Sequence, residues 1–275
     1  MKLVTFMQGT RTLVGELVGD TVYNTSIPGS MFDVIRRGIT PTRTSEHYPL
    51  AQVALAAPIL PSKIIAIGRN YAEHAAELNH DIPPAPIIFA KFPSSIIGDG
   101  ETITWRASIT EKVDWEGELA VVIGKKARNV SEADAYNYVF GYSIANDVSA
   151  RDLQLEKDSQ WTRGKSLDTF CPLGPFIITR DEVADPHALT VKTIVNGEVV
   201  QEASTSTMMF KIPTLVSYCS QMFTLEPGDI ILTGTPPGVG HGRKPPQYLK
   251  DGDKVTVSIT GIGELSNPCK ILPEA

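Results

Sequence analysis

The sequence predicts a β-rich α+β fold, and three observations predict it. Most apolar segments are short and bounded by glycine or proline, of which the 275 residues hold 22 and 20. Few segments carry helical periodicity, and they do not alternate regularly with the strands, which argues against a doubly wound sheet. Asn196-Gly197, set between two apolar stretches, signals a β-hairpin. The length suits one large domain, or a large one with a small companion.

Taken in order, residues 1–57 read as a small N-terminal unit. Lys2–Met7, Thr12–Leu17 and Thr21–Asn24 alternate like short strands, with turns at Gln8-Gly9 and Gly19-Asp20. Ser30 to Gly38 reads as a helix, Ser30 capping its start and Gly38 closing its end. Ala57-Pro58-Ile59-Leu60-Pro61 marks a boundary, so the large domain is expected over 58–275. Strands are expected there at Lys63–Ile67, Ile87–Ala90, Val113–Ile123, Val139–Asp147, Phe176–Thr179, Thr190–Val195, Asp229–Thr233, Lys254–Ile259 and Glu264–Ile271. Helices are expected at Tyr71–Leu78, Glu132–Tyr138, Ser149–Asp158 and Ile212–Met222. No internal repeat or low-complexity segment appears.

Composition removes several function classes. At 42% hydrophobic and 20% charged the chain is an ordinary globular one with ample core material. A net charge of −6, with no long Lys/Arg run, argues against a nucleic-acid groove. Cys171, Cys219 and Cys269 are widely spaced, which fits a reducing compartment and no disulfide framework or structural zinc. The start of the chain lacks the apolar core of a signal peptide, and no segment approaches the ~20 apolar residues of a membrane helix. A cytoplasmic protein is expected.

The most informative segment is Asp114-Trp-Glu116-Gly-Glu118-Leu-Ala-Val-Val-Ile123. In an extended strand its three carboxylates point to one face. Neighbours ~7 Å apart at an effective dielectric of ~20 repel by roughly 2 kcal/mol per pair. A divalent cation, Mg²⁺ or Mn²⁺, would relieve this, as would a solvated acidic edge. Asp147, at the end of the Gly141–Asp147 strand, is placed to reach such a metal or to cap a following helix. His74 and Glu77 stand at i, i+3: Glu77 could orient a general base, or the pair could be an ordinary surface contact. Lys165, in a Gly- and Pro-punctuated loop downstream of Arg151 and Gln154, could donate to an oxyanion or simply sit in water. Thr235 lies in Thr233-Gly-Thr-Pro-Pro-Gly-Val-Gly240, which lacks the Gly-Lys-Ser/Thr ending of a phosphate loop and suits a small carboxylate, or is only a tight turn. No Gly-x-Ser-x-Gly elbow or His-Glu-x-x-His is present.

Together these features resemble the fumarylacetoacetate hydrolase family. The matching pieces are Gly68-Arg-Asn-Tyr with His74-x-x-Glu77, Phe89-Ala-Lys91, the 113–124 segment, Gly141 to Asp152, Gly164-Lys165-Ser-Leu-Asp-Thr-Phe and Thr233 to Gly240, in that order. They span about residues 61 to 271. The resemblance implies a rolled mixed β-sheet, a homodimer, and Mg²⁺ or Mn²⁺ on Glu116, Glu118 and Asp147, with Asp114 as a supporting carboxylate. It implies His74 and Glu77 on a lid over the metal, Lys165 and Gln154 near substrate oxygens, Thr235 at a substrate carboxylate, and Arg69 among the substrate-binding residues. Where the family often has Lys-Pro, this chain has Lys91-Phe92-Pro93.

The activity this implies is cleavage of a C–C bond in a small 2,4-dioxo acid such as an acylpyruvate. His74 would activate water against C4, Lys165 and Gln154 would stabilise the oxyanion, and pyruvate enolate would leave from the metal. The alternatives on the same machinery are oxaloacetate decarboxylation and isomerisation or tautomerisation of 2-hydroxydienoates. A non-catalytic cation- or carboxylate-binding protein is the alternative of another class.

Overall fold

Strands dominate the computed structural model, which describes residues 1–27, 29–157 and 159–274. The first part runs β1 (Lys2–Gln8), β2 (Arg11–Val18), β3 (Thr21–Thr25), α1 (Met31–Arg37), β4 (Arg43–Pro49) and β5 (Ala54–Ala56). Next come β6 (Ile64–Gly68), α2 (Ala72–Glu77), β7 (Ile87–Lys91), β8 (Ile96–Ile97) and β9 (Ile103–Trp105). The centre holds β10 (Val113–Asp114), β11 (Gly117–Ile123), β12 (Val139–Asn146), β13 (Ser149–Ala150) and the one-turn α3 (Thr162–Lys165). The chain closes with β14 (Cys171–Thr179), β15 (Thr190–Val195), β16 (Glu198–Ser204), α4 (Ile212–Met222), β17 (Ile230–Leu232), β18 (Lys254–Ile259) and β19 (Gly263–Ile271).

These strands make a mixed sheet in the order β4-β3-β2-β1-β14-β12-β11-β17-β6-β7, with β5 beside β1 and β8 beside β14. β17 and β6 run parallel; β11 meets both its neighbours antiparallel. A second sheet, β16-β15-β18-β19-β9, lies against it. β11 is flanked by β12 and β17 and is buried throughout, which is why its sequence reads as a nearly unbroken apolar run. Its side chains still alternate. Leu119, Val121 and Ile123 share a core with Val191, Val257 and Leu265 of the second sheet, while Ala120 and Val122 share one with Val34 and Ile35 of α1. Asn196 and Gly197 take φ of 51° and 88° and turn β15 into β16, the hairpin the sequence signals.

Strands β4, β5, β8 and β9 are not expected from the sequence, β14 starts earlier than expected, and three expected elements take another form. The Val113–Ile123 strand breaks at Trp115-Glu116, because the Asn146 side chain accepts the Glu116 N–H at 2.9 Å in place of a ladder bond. The Glu132–Tyr138 helix shrinks to a 3₁₀ turn over Ala135–Tyr138. The Ser149–Asp158 helix becomes the short strand β13 and a π-turn over Asp152–Glu156, since Ser149-Ala150 pairs with β10; Asp158 lies outside the described residues.

Residues 1–57 continue the main sheet. β1 pairs with β14 through Lys2↔Ile178 and Leu3↔Ile177, and the Met1 ammonium donates to Thr179 Oγ1 at 2.5 Å. Among the described residues no helix is long and apolar enough to cross a membrane.

Candidate metal centre and active site

The antiparallel register of β11 and β12 assembles the acidic centre. Gly117 faces Asn146 and Glu118 faces Ala145, so Glu116 and Asp147 meet just beyond the ladder, where the Asp147 N–H donates to Glu116 O at 2.8 Å. Carboxylate oxygens of Glu116, Glu118 and Asp147 lie within 4.8 Å of one another, and all three residues are buried. The break at Trp115-Glu116 turns Asp114 away from this cluster. Its oxygens accept from the backbone N–H groups of Trp115, Gly240 and His241 at 2.7–2.9 Å and from Arg151 Nε at 2.8 Å. Asp114 is thus a brace for the 238–242 loop and for Arg151.

Three buried cations face the four acids. Lys165 Nζ lies 2.6 Å from Glu116 and 2.9 Å from Asp147, Lys91 Nζ 2.6 Å from Asp147, and Arg151 Nη1 2.7 Å from Glu116. Burial alone would raise the Glu116 carboxyl, but Lys165, Arg151 and His74 together hold it well below the usual carboxylate range. Glu118 is the exception. Burial, then Asp147 and Glu116, push its carboxyl well above the ordinary value, and its hydrogen bond comes from a backbone amide, Gly234 N at 2.7 Å. Ionised together, the four acids would exceed the three bases by one negative charge, and their donors are hard oxygens, so a hard divalent cation fits the cluster and would relieve the repulsion on Glu118.

α2 brings His74 to the same cavity. Glu77 Oε1 lies 2.7 Å from His74 Nδ1, and Glu77 Oε2 accepts from Gly238 N at 2.8 Å. An ionised carboxylate can only accept, so Nδ1 carries a proton and Nε2 is the nitrogen left to exchange one with a ligand. Glu77 therefore sets the tautomer of His74 and ties α2 to the loop that follows β17.

Seven of the nine site residues expected from sequence line one cavity: Arg69, His74, Glu116, Glu118, Gln154, Lys165 and Thr235. Asp147 completes the acidic cluster, and Glu77 backs His74. Two of them are engaged differently from the expectation. Lys165, expected as a donor to an oxyanion, is 1% exposed and spends its ammonium on Glu116 and Asp147. The Thr235 hydroxyl, expected to hold a carboxylate, donates its one hydrogen to Gly117 O at 3.0 Å and accepts from Gln201 Nε2 at 2.9 Å. Gln154 turns its carbonyl to Arg151 Nη1 at 3.0 Å, which leaves its amide N–H groups for a ligand. Arg151 Nη2 is buried and has no partner among the described residues. Sequence reasoning passed over that guanidinium, and over Lys91 as the counter-ion of Asp147. The only sequence signal was a pair of basic residues inside otherwise apolar or acidic motifs.

The sequence profile described as fumarylacetoacetate (FAA) hydrolase C-terminal matches residues 63–270. This chain belongs to the fumarylacetoacetate hydrolase family. Among relatives, the oxaloacetate tautomerase fahd2, mitochondrial, of Xenopus laevis is 46% identical over 264 residues, covering 92% of this chain and 82% of that one. The oxaloacetate tautomerase YisK of Bacillus subtilis (strain 168) is 50% identical over 224 residues, covering 80% and 74%. Among solved structures, the fumarylacetoacetate hydrolase of psychrophilic Exiguobacterium antarcticum superposes with a TM-score of 0.89 at 43% identity over 99% of this chain and 100% of its own. The 5-carboxymethyl-2-hydroxymuconate delta-isomerase of Mycobacterium smegmatis gives 0.85 at 40%, with coverage of 99% and 100%. Every residue of the acidic centre and of its His74–Glu77 neighbour falls inside the stretch matched to the fumarylacetoacetate hydrolase family. β1 to β5 lie outside it.

Proposed function

We propose that this chain is a Mg²⁺- or Mn²⁺-dependent enzyme interconverting the enol and keto forms of a small 2-oxo acid, with oxaloacetate as the substrate. The observation that carries this is His74, fixed by Glu77 in one tautomer and opening on the cavity lined by Glu116 and Glu118. The names of the two relatives support it and shift the reading from the C–C hydrolysis expected from sequence to its tautomerase alternative.

Glu116, Glu118 and Asp147 would hold the cation, which when bound supplies Lewis acidity that stabilises negative charge on the substrate's 2-oxygen. The chain's own groups do the rest. The free Nη2 of Arg151 and the Gln154 amide orient the carboxylate next to that oxygen. His74 Nε2 takes the proton released from the enol hydroxyl and gives one to C3, so the imidazole ends the cycle as it began. Glu77, on Nδ1, stabilises the imidazolium between the two transfers. Lys165 and Arg151 hold Glu116 ionised, and Lys165 and Lys91 pair with Asp147.

Hydrolysis of an acylpyruvate is the second reading, favoured by the same His74–Glu77 pair, because a base that can move a proton at C3 can also deprotonate water. Adding oxaloacetate enol to the Mg²⁺-loaded protein and following the loss of enol absorbance, with acetylpyruvate in parallel, decides between them. Enol loss without CO₂ or pyruvate release is the expected outcome. Pyruvate released from acetylpyruvate at a higher kcat/KM would replace the tautomerase reading with the hydrolase one. We also propose a homodimer on family grounds; light scattering that returned the 29.8 kDa monomer mass would exclude it.

A further inference from the structure

A second cavity, of about 420 Å³, shares no lining residue with the one at the acidic centre. Its walls are Tyr136 from the 3₁₀ turn before β12, Tyr142 from β12 itself, and Arg180, Val183, Asp185 and Pro186 from the segment between β14 and β15. Small-molecule sites commonly have volumes of about 300–1,000 Å³. Tyr142 is fully buried, and its Oη has no hydrogen-bond partner among the described residues. A buried hydroxyl left in that state is costly, and native folds keep few of them. Burial, then Tyr136, push the Tyr142 pKa up; Arg180 opposes them and Asp185 adds to them. At neutral pH the hydroxyl therefore keeps its proton and is a donor. The groups that act on it are the ones that line the cavity.

Two of those groups are also under-used. The Arg180 guanidinium has no ion pair or side-chain hydrogen bond among the described residues. Asp185 accepts from the His187 N–H at Oδ1, 2.8 Å away, while its Oδ2 has no partner among the described residues. A second acid, Asp181, stands on the same wall, and a hydrogen bond from Thr179 holds its carboxyl below the usual range.

We infer that this cavity is a binding site for the zwitterion of a free α-amino acid with an apolar side chain. The carboxylate accepts from Tyr142 Oη and from the planar Arg180 fork. The ammonium donates to Asp185 Oδ2, and the side chain lies against the Tyr136 ring, Val183 and Pro186. A plain anion fits worse, because two carboxylates stand beside the single guanidinium. A plain cation fits worse too, since it would face Arg180 and leave the Tyr142 donor without an acceptor. One ligand with both charges satisfies the orphaned hydroxyl, the unpaired guanidinium and the open carboxylate oxygen together.

The test titrates the intact protein with L-leucine and with two analogues that each lack one charge, 4-methylpentanoate and 3-methylbutylamine, followed by saturation-transfer NMR. Wild type should bind leucine saturably and each analogue at least about tenfold more weakly, the scale of one charge-assisted hydrogen bond. Tyr142→Phe and Arg180→Met, both away from the acidic centre, should each weaken leucine binding by about tenfold or more. Without leucine, Tyr142→Phe should melt at or above the wild-type temperature, because it removes a buried donor that had no partner. No saturable binding of leucine to wild type, or an affinity unchanged by both substitutions, overturns the site. An analogue that binds as tightly as leucine overturns the amino-acid assignment. A Tyr142→Phe protein that melts below wild type without leucine would mean that an enclosed water or a second copy of the chain already satisfies the hydroxyl, and it overturns the site as well.

Discussion

His74→Ala removes a proton carrier without touching the carboxylates that would bind the cation. Removing a positioned general acid–base typically lowers the rate by about 10²–10⁴-fold, so we expect kcat to fall by that range while Mg²⁺ affinity, read by calorimetry, stays at the wild-type value. An equal loss of metal binding would mean that His74 is a ligand or a strut and not a base. Glu116→Ala should do the reverse at a larger structural cost. Glu116 neutralises Lys165 at 2.6 Å and Arg151 at 2.7 Å, both buried. Breaking a buried ion pair by removing one partner costs about 3–5 kcal/mol, so urea unfolding should shift by that amount and tight Mg²⁺ binding should vanish. Mg²⁺ still binding tightly to a folded Glu116→Ala protein would sink the ligand assignment.

At the scale of elements, the acidic centre depends on how closely β11 approaches the second sheet. Gly117 lies between Glu116 and Glu118, and a Cβ on it would meet Thr193 Oγ1 at 2.2 Å and Val257 Cγ1 at 3.0 Å. Gly117→Ala must therefore push β11 off β15 and β18, an overpacking that costs about 1–3 kcal/mol. It should also weaken Mg²⁺ binding, since both flanking ligands move with the strand; calorimetry on the purified variant checks both effects, and unchanged affinity would show that the centre tolerates the shift. Much of this was legible in the sequence. The i, i+2 spacing of Glu116 and Glu118, the strand ending at Asp147 and the i, i+3 spacing of His74 and Glu77 are local facts, and local periodicity carries them. What was not legible depends on distant partners. The break in the 113–123 strand is made by Asn146. The expected helix after Ser149 yields to pairing with β10, and Lys165 turns inward because two carboxylates from other strands call for its charge. No window of neighbouring residues contains those causes.

Taken whole, the molecule is held together by a contact between the first strand and one more than 160 residues further along the chain. β1 adds to the edge of β14, and the first residues feed both cores: Val4 and Phe6 on one side of the sheet, Leu3, Val14, Met31, Val34 and Ile35 on the other. All seven are at most 3% exposed. At about 1.5–3 kcal/mol for each large apolar side chain buried, their sum, about 10–21 kcal/mol, is as large as the ~5–15 kcal/mol by which a domain is usually stable. Deleting residues 1–57 would also strip β14 of its partner on one side and leave Ile177 and Ile178 on an open edge, the kind of strand that recruits other chains. The 58–275 fragment, although it holds every residue of the acidic centre, should aggregate or bind a hydrophobic dye, and it should lose Mg²⁺-dependent activity. A monodisperse, cooperatively unfolding fragment would show instead that the catalytic sheet stands alone, and that the N-terminal strands are an addition to a finished core.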